Sequence, residues 1–119
     1  MLVSAKYLLA LSPKAMAWLG ESTRGIVHMR VLDWMLTEMA TKVSEVNIRG
    51  NRVKLERGQA ACSVNACSNH FGIDRVTVGE LYRQMTDLGL IEIVPRGRVT
   101  TLVNVVCAVG WDEAVRLDM

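Results

Sequence analysis

A mainly α domain with a small antiparallel β-hairpin, an α+β fold, is what this sequence predicts, on three observations. Apolar residues recur at helical spacing in several capped stretches. Two β-rich runs follow them, on either side of Pro95-Arg96-Gly97-Arg98. Half of the 119 residues are apolar, enough to fill the core of one domain and to exclude a disordered chain. Leu, Val, Met and Ala carry that fraction, because aromatics make up only 5%.

The first element begins at Ser12-Pro13, an N-cap with proline at the first helical position. A short helix over Pro13–Leu19 is apolar at Met16, Trp18 and Leu19, and Gly20 can stop it. Leu2-Val3 and Tyr7-Leu8-Leu9 before it suit strand or helix equally. Ser22 or Thr23 is then expected to cap a longer helix, with Val27, Val31, Trp34 or Met35, and Met39 at helical spacing and Leu32 and Leu36 beside them. A turn at Gly50-Asn51 follows. The alternation Arg52/Val53/Lys54/Leu55/Glu56 has period two and predicts a half-buried strand or extended arm.

Ser63 is the expected cap of a third helix, with Val64, Cys67 and Phe71 on one face and Gly72 at its end. Ile73 is an apolar turn residue, and Asp74 caps a fourth helix whose inward face is Val78, Leu81, Tyr82, Met85 and Leu88. Gly89 stops that helix. Leu90–Val94 and Val99–Val106 then form a hairpin with a basic tip, and Trp111-Asp112-Glu113 opens a short helical tail.

Helix, extended arm, helix, glycine turn, helix and hairpin, in that order, form the plan of a winged helix–turn–helix. Ile73 plugs the angle between the two helices of the motif, and the second helix turns its outer face to the outside. That plan divides the chain into an N-terminal extension, residues 1–21, and a winged domain, residues 22–119. One reader helix covers only a few base pairs, so a homodimer is expected. Leu2, Val3, Tyr7–Leu9, Met16, Trp18 and Leu19 supply either its contact or cover for the monomer core.

The residues also carry a family resemblance. Val53-Lys54-Leu55-Glu56-Arg57-Gly58-Gln59, then Ser63, resembles the start of winged-helix domains in phage and mobile-element replication proteins and helicase loaders. Gly72-Ile73-Asp74-Arg75-Val76-Thr77-Val78, Leu88-Gly89-Leu90-Ile91, Val105-Val106 and Trp111-Asp112-Glu113 continue it. The helix–turn–helix is also similar to that of GntR-type repressors, whose reader helix commonly opens with Arg, two intervening positions and Val. The resemblance spans Asn47 to Glu113. Cys67 and Ser68 depart from the usual Leu and Ala, Gly79 interrupts the reader helix, and the first 20 residues match neither family. The first resemblance implies a replication-initiation or helicase-loading module acting on origin DNA or a partner protein. The second implies a small transcriptional regulator from a bacterium, plasmid or phage.

Charge placement agrees with a double-stranded DNA partner. From Arg49 to Arg98 there are eight Lys and Arg against five Asp and Glu, a net +3 within a whole-chain +2. That excess is modest, so affinity must draw on base contacts or on a paired domain. On the fourth helix the outward positions are Arg75, Val76, Thr77, Gly79, Glu80 and Arg83. Arg75 sits in the first turn, suited to bidentate pairing with guanine, and Val76 and the Thr77 methyl suit a thymine methyl. Glu80 accepts from cytosine or orients Arg83. Gly79 costs the helix about 1 kcal/mol relative to Ala, which implies a close approach of DNA or of a packed neighbour. Arg96 and Arg98 straddle the wing tip and suit phosphate or minor-groove contact. Asn65 and Asn69 on the third helix, and Lys54 and Arg57 on the arm, are further phosphate candidates. The competing reading of each is an ordinary solvated surface, and a winged helix used only for protein association is the remaining alternative, supported by Glu80 and Asp87.

Other classes are disfavoured. Cys67 and His70 are three apart and Cys62 is near, but no CxxC or second ligand pair accompanies them, so no metal or other cofactor is expected. His28 is expected on a helix surface. No paired carboxylates, nucleophile motif or phosphate-binding loop is present, which predicts a non-enzyme. Lys6 interrupts the best N-terminal apolar run, and no stretch reaches the ~18 uncharged residues of a membrane span. The three cysteines (Cys62, Cys67, Cys107) are odd in number and irregularly spaced. No basic cluster precedes the apolar start, and a helix begins where cleavage would fall. These features predict a reduced, cytoplasmic protein.

Overall fold

The computed structural model describes residues 7–48, 50–96 and 100–111, with backbone alone for 95, 96, 100 and 101. Leu2, Val3, Lys6, Arg49, Gly97, Arg98, Val99, Asp112 and Glu113, named above, lie outside the described residues. Of Tyr7-Leu8-Leu9, the last two form strand: β1 (Leu8–Leu9) pairs antiparallel with β9 (Ala108–Val109). The helix α1 (Pro13–Leu19) follows, its Ser12 side chain accepting from the Ala15 amide.

Next, the expected cap at Ser22 or Thr23 is overturned. Those residues form β2 (Ser22–Thr23), which pairs with β3 (Ile26–Val27) across the two-residue turn Arg24-Gly25. Both turn residues have positive φ, 53° and 79°, the primed-turn geometry that matches the twist of a tight hairpin. Helix α2 (His28–Glu38) therefore starts later, after Val27, which caps it without a side-chain hydrogen bond. Val31, Leu32 and Met35 are buried, whereas Val27 is exposed.

His28 is also corrected: it is 3% exposed rather than on the surface. Its Nδ1 lies 2.8 Å from the Trp18 carbonyl and its Nε2 2.7 Å from Thr23 Oγ1. In the neutral ring Nδ1–H donates to the carbonyl and Nε2 accepts from the hydroxyl. The ring stacks on Trp18 at 4.0 Å. One histidine thus joins the end of α1, the β2–β3 hairpin and the start of α2.

After α2 the hairpin β4 (Ser44–Ile48) and β5 (Asn51–Leu55) pairs Ile48 with Asn51. Asn51 is a strand residue paired with Ile48, so of the expected turn pair Gly50-Asn51 only Gly50 is a turn residue. Val53 and Leu55 face inward, as period two predicts, and form a small second core with Leu102, Val46, Ile48 and Val94. Then come β6 (Gln59–Ala60), α3 (Val64–Phe71), α4 (Arg75–Asp87), β7 (Glu92–Arg96) and β8 (Thr100–Asn104). Strand order in the three-stranded sheet is β6-β8-β7. The single expected hairpin is therefore enlarged: β6 closes it into a sheet, and three two-stranded ribbons accompany it. Pro95 and Arg96 belong to β7 rather than to the turn. A proline is tolerated there because β7 is an edge strand.

The main core joins Ala15 and Leu19 of α1 to Val31, Leu32 and Met35 of α2, Cys67 of α3, Val78, Tyr82 and Met85 of α4, and Val103 of β8. The molecule is a compact α+β domain with four helices and small antiparallel sheets among the described residues. Tyr82 donates its hydroxyl hydrogen to the Cys62 carbonyl at 2.8 Å in the buried interior, pinning α4 to the chain that enters α3. Burial pushes the Tyr82 hydroxyl and the Cys62, Cys67 and Cys107 thiols above their ordinary pKa values.

Candidate nucleic-acid interface

Local rules fix the two helices that carry most candidate residues. Ser63 Oγ accepts from the Ala66 amide to start α3. Gly72 ends it at φ 69°, a left-handed position that glycine takes without Cβ strain. Ser68 donates its hydroxyl hydrogen to the Ile73 carbonyl at 2.5 Å, tightening the reversal. Asp74 then starts α4: Oδ2 accepts from the Thr77 amide at 2.9 Å, and Oδ1 from the Thr77 hydroxyl at 2.6 Å. The Thr77 hydroxyl and amide together hold the Asp74 carboxyl below the usual carboxylate range.

The outward face of α4 has two unlike halves. In the N-terminal half Arg75 and Val76 are exposed, Val76 by 83%. A Cβ built on Gly79 would meet nothing within 4 Å. No neighbour within the described chain therefore requires the glycine, which removes the packed-neighbour explanation inside the fold. Arg75 Nη1 approaches Asn65 Oδ1 of α3 at 3.4 Å, so the two helices present these groups together. Thr77 is half-buried, and its hydroxyl serves the cap.

In the C-terminal half Glu80, Arg83 and Asp87 form one cluster. Arg83 Nε donates to Glu80 Oε2 at 3.1 Å, Nη2 to Glu80 Oε1, and Nη1 to Asp87 Oδ2 at 2.9 Å. Arg83 holds the Glu80 carboxyl below its ordinary range. Of the two roles foreseen for Glu80, orienting Arg83 is the one the geometry displays. The cluster carries one positive charge against two negative charges.

The remaining candidates lie on other elements. Asn69 is exposed on α3. Lys54, on β5, sits 3.4 Å from Glu56, while its neighbour Arg52 is 3.9 Å from Glu45. The Arg57 guanidinium lies over the Trp111 ring at 5.2 Å. Arg96 ends β7, and Arg98 is outside the described residues. Cys62 and Cys67 are buried, while His70 stacks on Trp34 at 5.1 Å. Among the described residues no three or more His, Cys, Asp or Glu gather as a metal-holding group. Nor is any described helix long and apolar enough to cross a membrane.

One neighbour was missed in the sequence. Arg24, from the β2–β3 turn, brings Nη2 to 3.8 Å from Asp74 Oδ1 at the start of α4. Neither the Arg24-Gly25 turn nor its approach to a residue fifty positions onward is legible in the sequence. Comparison with known family models, with curated proteins and with solved structures gave no match to this chain.

Proposed function

We propose that this chain is a double-stranded DNA-binding protein on a winged helix–turn–helix plan, acting without catalysis as a small transcriptional regulator and as a homodimer. The observation that carries this reading is the uncovered N-terminal half of α4. A helix that buries Val78, Leu81, Tyr82 and Met85 on one side leaves Arg75, a fully presented Val76 and an unobstructed Gly79 on the other. Reader helices meet base edges with their N-terminal residues. An arginine there pairs with guanine, a valine meets a thymine methyl, and a glycine permits close approach. The sheet order β6-β8-β7, with β7 and β8 as the wing, supports the fold assignment. In this reading α4 lies in the major groove while Asn65, Asn69, Arg96, Arg98 and Lys54 meet the backbone.

Titration of the protein against random-sequence duplex, from about 50 to about 200 mM salt, tests this. Affinity is expected to fall steeply with salt, and Arg75→Ala to weaken it further. Absence of salt-dependent binding, with no effect of Arg75→Ala, overturns the reading.

A second reading, docking to a replication or transcription protein, is favoured by the Glu80–Arg83–Asp87 cluster. Its net negative charge would be repelled by phosphate and suits a basic partner surface. A replication-initiation or helicase-loading role would combine both halves, DNA at the N-terminal end of α4 and a protein at the other.

A further inference from the structure

We infer that Arg24, presented by the β2–β3 turn, is an additional DNA-phosphate contact beside the N-terminal end of α4. The inference rests on the DNA reading above and extends it to an element outside the helix–turn–helix and its wing.

Three observations carry it. First, Arg24 is the one non-glycine residue at positive φ among the described residues, at 53°. Asn or Gly suits that position far better than arginine, so the backbone gains nothing from the residue present. Second, the ion pair to Asp74 does not account for it. Asp74 already accepts two hydrogen bonds from Thr77. The Arg24 nitrogen stands 3.8 Å away, beyond hydrogen-bond distance, and its side chain is 66% exposed; such pairs add little to stability. Third, the turn is held firmly. His28 bonds Thr23 in the hairpin and Trp18 in α1, and its own amide donates to the Glu21 carbonyl at 2.9 Å. A strained arginine on a braced turn, at the mouth of the proposed reader helix, fits a cation held for phosphate.

Arg24→Asn and Arg24→Lys separate this from a structural role. Asparagine relieves the turn, so Arg24→Asn is expected to melt no lower than the wild type. On labelled random duplex, its affinity at the lowest salt should fall about ten-fold. Its log–log salt slope should become shallower by about 0.9, the signature of one lost phosphate contact. Arg24→Lys should keep the wild-type slope. Wild-type affinity and slope in Arg24→Asn overturn the inference while leaving the DNA reading intact. A wild-type chain that shows no salt-dependent duplex binding overturns both.

Discussion

The indole Nε1 of Trp18 donates a 2.8 Å hydrogen bond to Oε1 of Gln84, so the segment ahead of residue 22 is fastened to the proposed reader helix. Ala15 and Leu19 add buried apolar contact on the same side, while Met16 is 59% exposed. Ala15, Trp18 and Leu19 of α1 are thus engaged within the monomer, while the exposed Leu8 and Leu9 of β1 and Met16 of α1 are the apolar side chains left to meet a second copy. Replacing Gln84 by Ala leaves a half-buried N–H without its acceptor, at a cost of about 1 kcal/mol. Denaturant unfolding of the dilute chain should show this loss at every protein concentration. A loss seen only where the protein self-associates would instead assign α1 to a dimer contact.

Acid should weaken the start of α4 before it weakens the core. The Thr77 hydrogen bonds lower the Asp74 carboxyl below its ordinary value. A depressed folded-state value means stabilisation that is fully present above the unfolded carboxylate pKa of about 3.9 and is lost as pH falls through the folded one. Asp74→Asn keeps a capping oxygen but cannot titrate. Thermal melts between about pH 6 and about pH 2.5 should therefore show a shallower acid decline in Asp74→Asn than in the wild type. Parallel declines would mean that Asp74 does not couple to folding.

Gly79 separates stability from binding. A Cβ there enters open space, so Gly79→Ala should stabilise the fold by about 1 kcal/mol through helix propensity. If DNA approaches the backbone at this point, the same variant should bind duplex more weakly despite its higher melting temperature. Higher stability with unchanged affinity would place the DNA elsewhere.

Arg83 is held by two carboxylates on α4. The double variant Glu80→Gln, Asp87→Asn removes two phosphate-repelling charges and releases the guanidinium. Affinity for random duplex should rise, and the salt slope should steepen by up to about 1 as Arg83 reaches a phosphate. Unchanged duplex binding together with lost capture by a basic protein partner would favour the docking role of this half.

What was legible in the sequence followed local physics. Ser63, Gly72, Asp74 and Gly89 punctuate α3 and α4 because caps and left-handed stops depend on neighbours within four residues. The inward residues Val78, Leu81, Tyr82 and Met85 followed from helical period. Two-residue strands such as Ser22–Thr23 carry no period, and Ser and Thr there mimic a cap, so the β2–β3 hairpin was hidden. The burial of His28 is not legible locally, because its polar atoms find partners only after α1 and β2 come together. The arginines on and beside α4 were half legible. Arg75 follows from its place in the first turn, whereas Arg24 meets α4 only through the folded turn, and Arg83 is neutralised at i−3 and i+4 rather than freely presented.

The most direct test is selection of bound sequences from a random duplex pool, with the wild type and Arg75→Ala in parallel. A base-reading α4 predicts that the wild type enriches a short motif containing guanine, repeated as an inverted pair if the chain dimerises. Arg75→Ala should lose preference at that guanine while retaining weaker, salt-sensitive binding. A wild-type pool with no enriched sequence, or a motif unaltered by Arg75→Ala, would contradict the claim that this helix reads DNA.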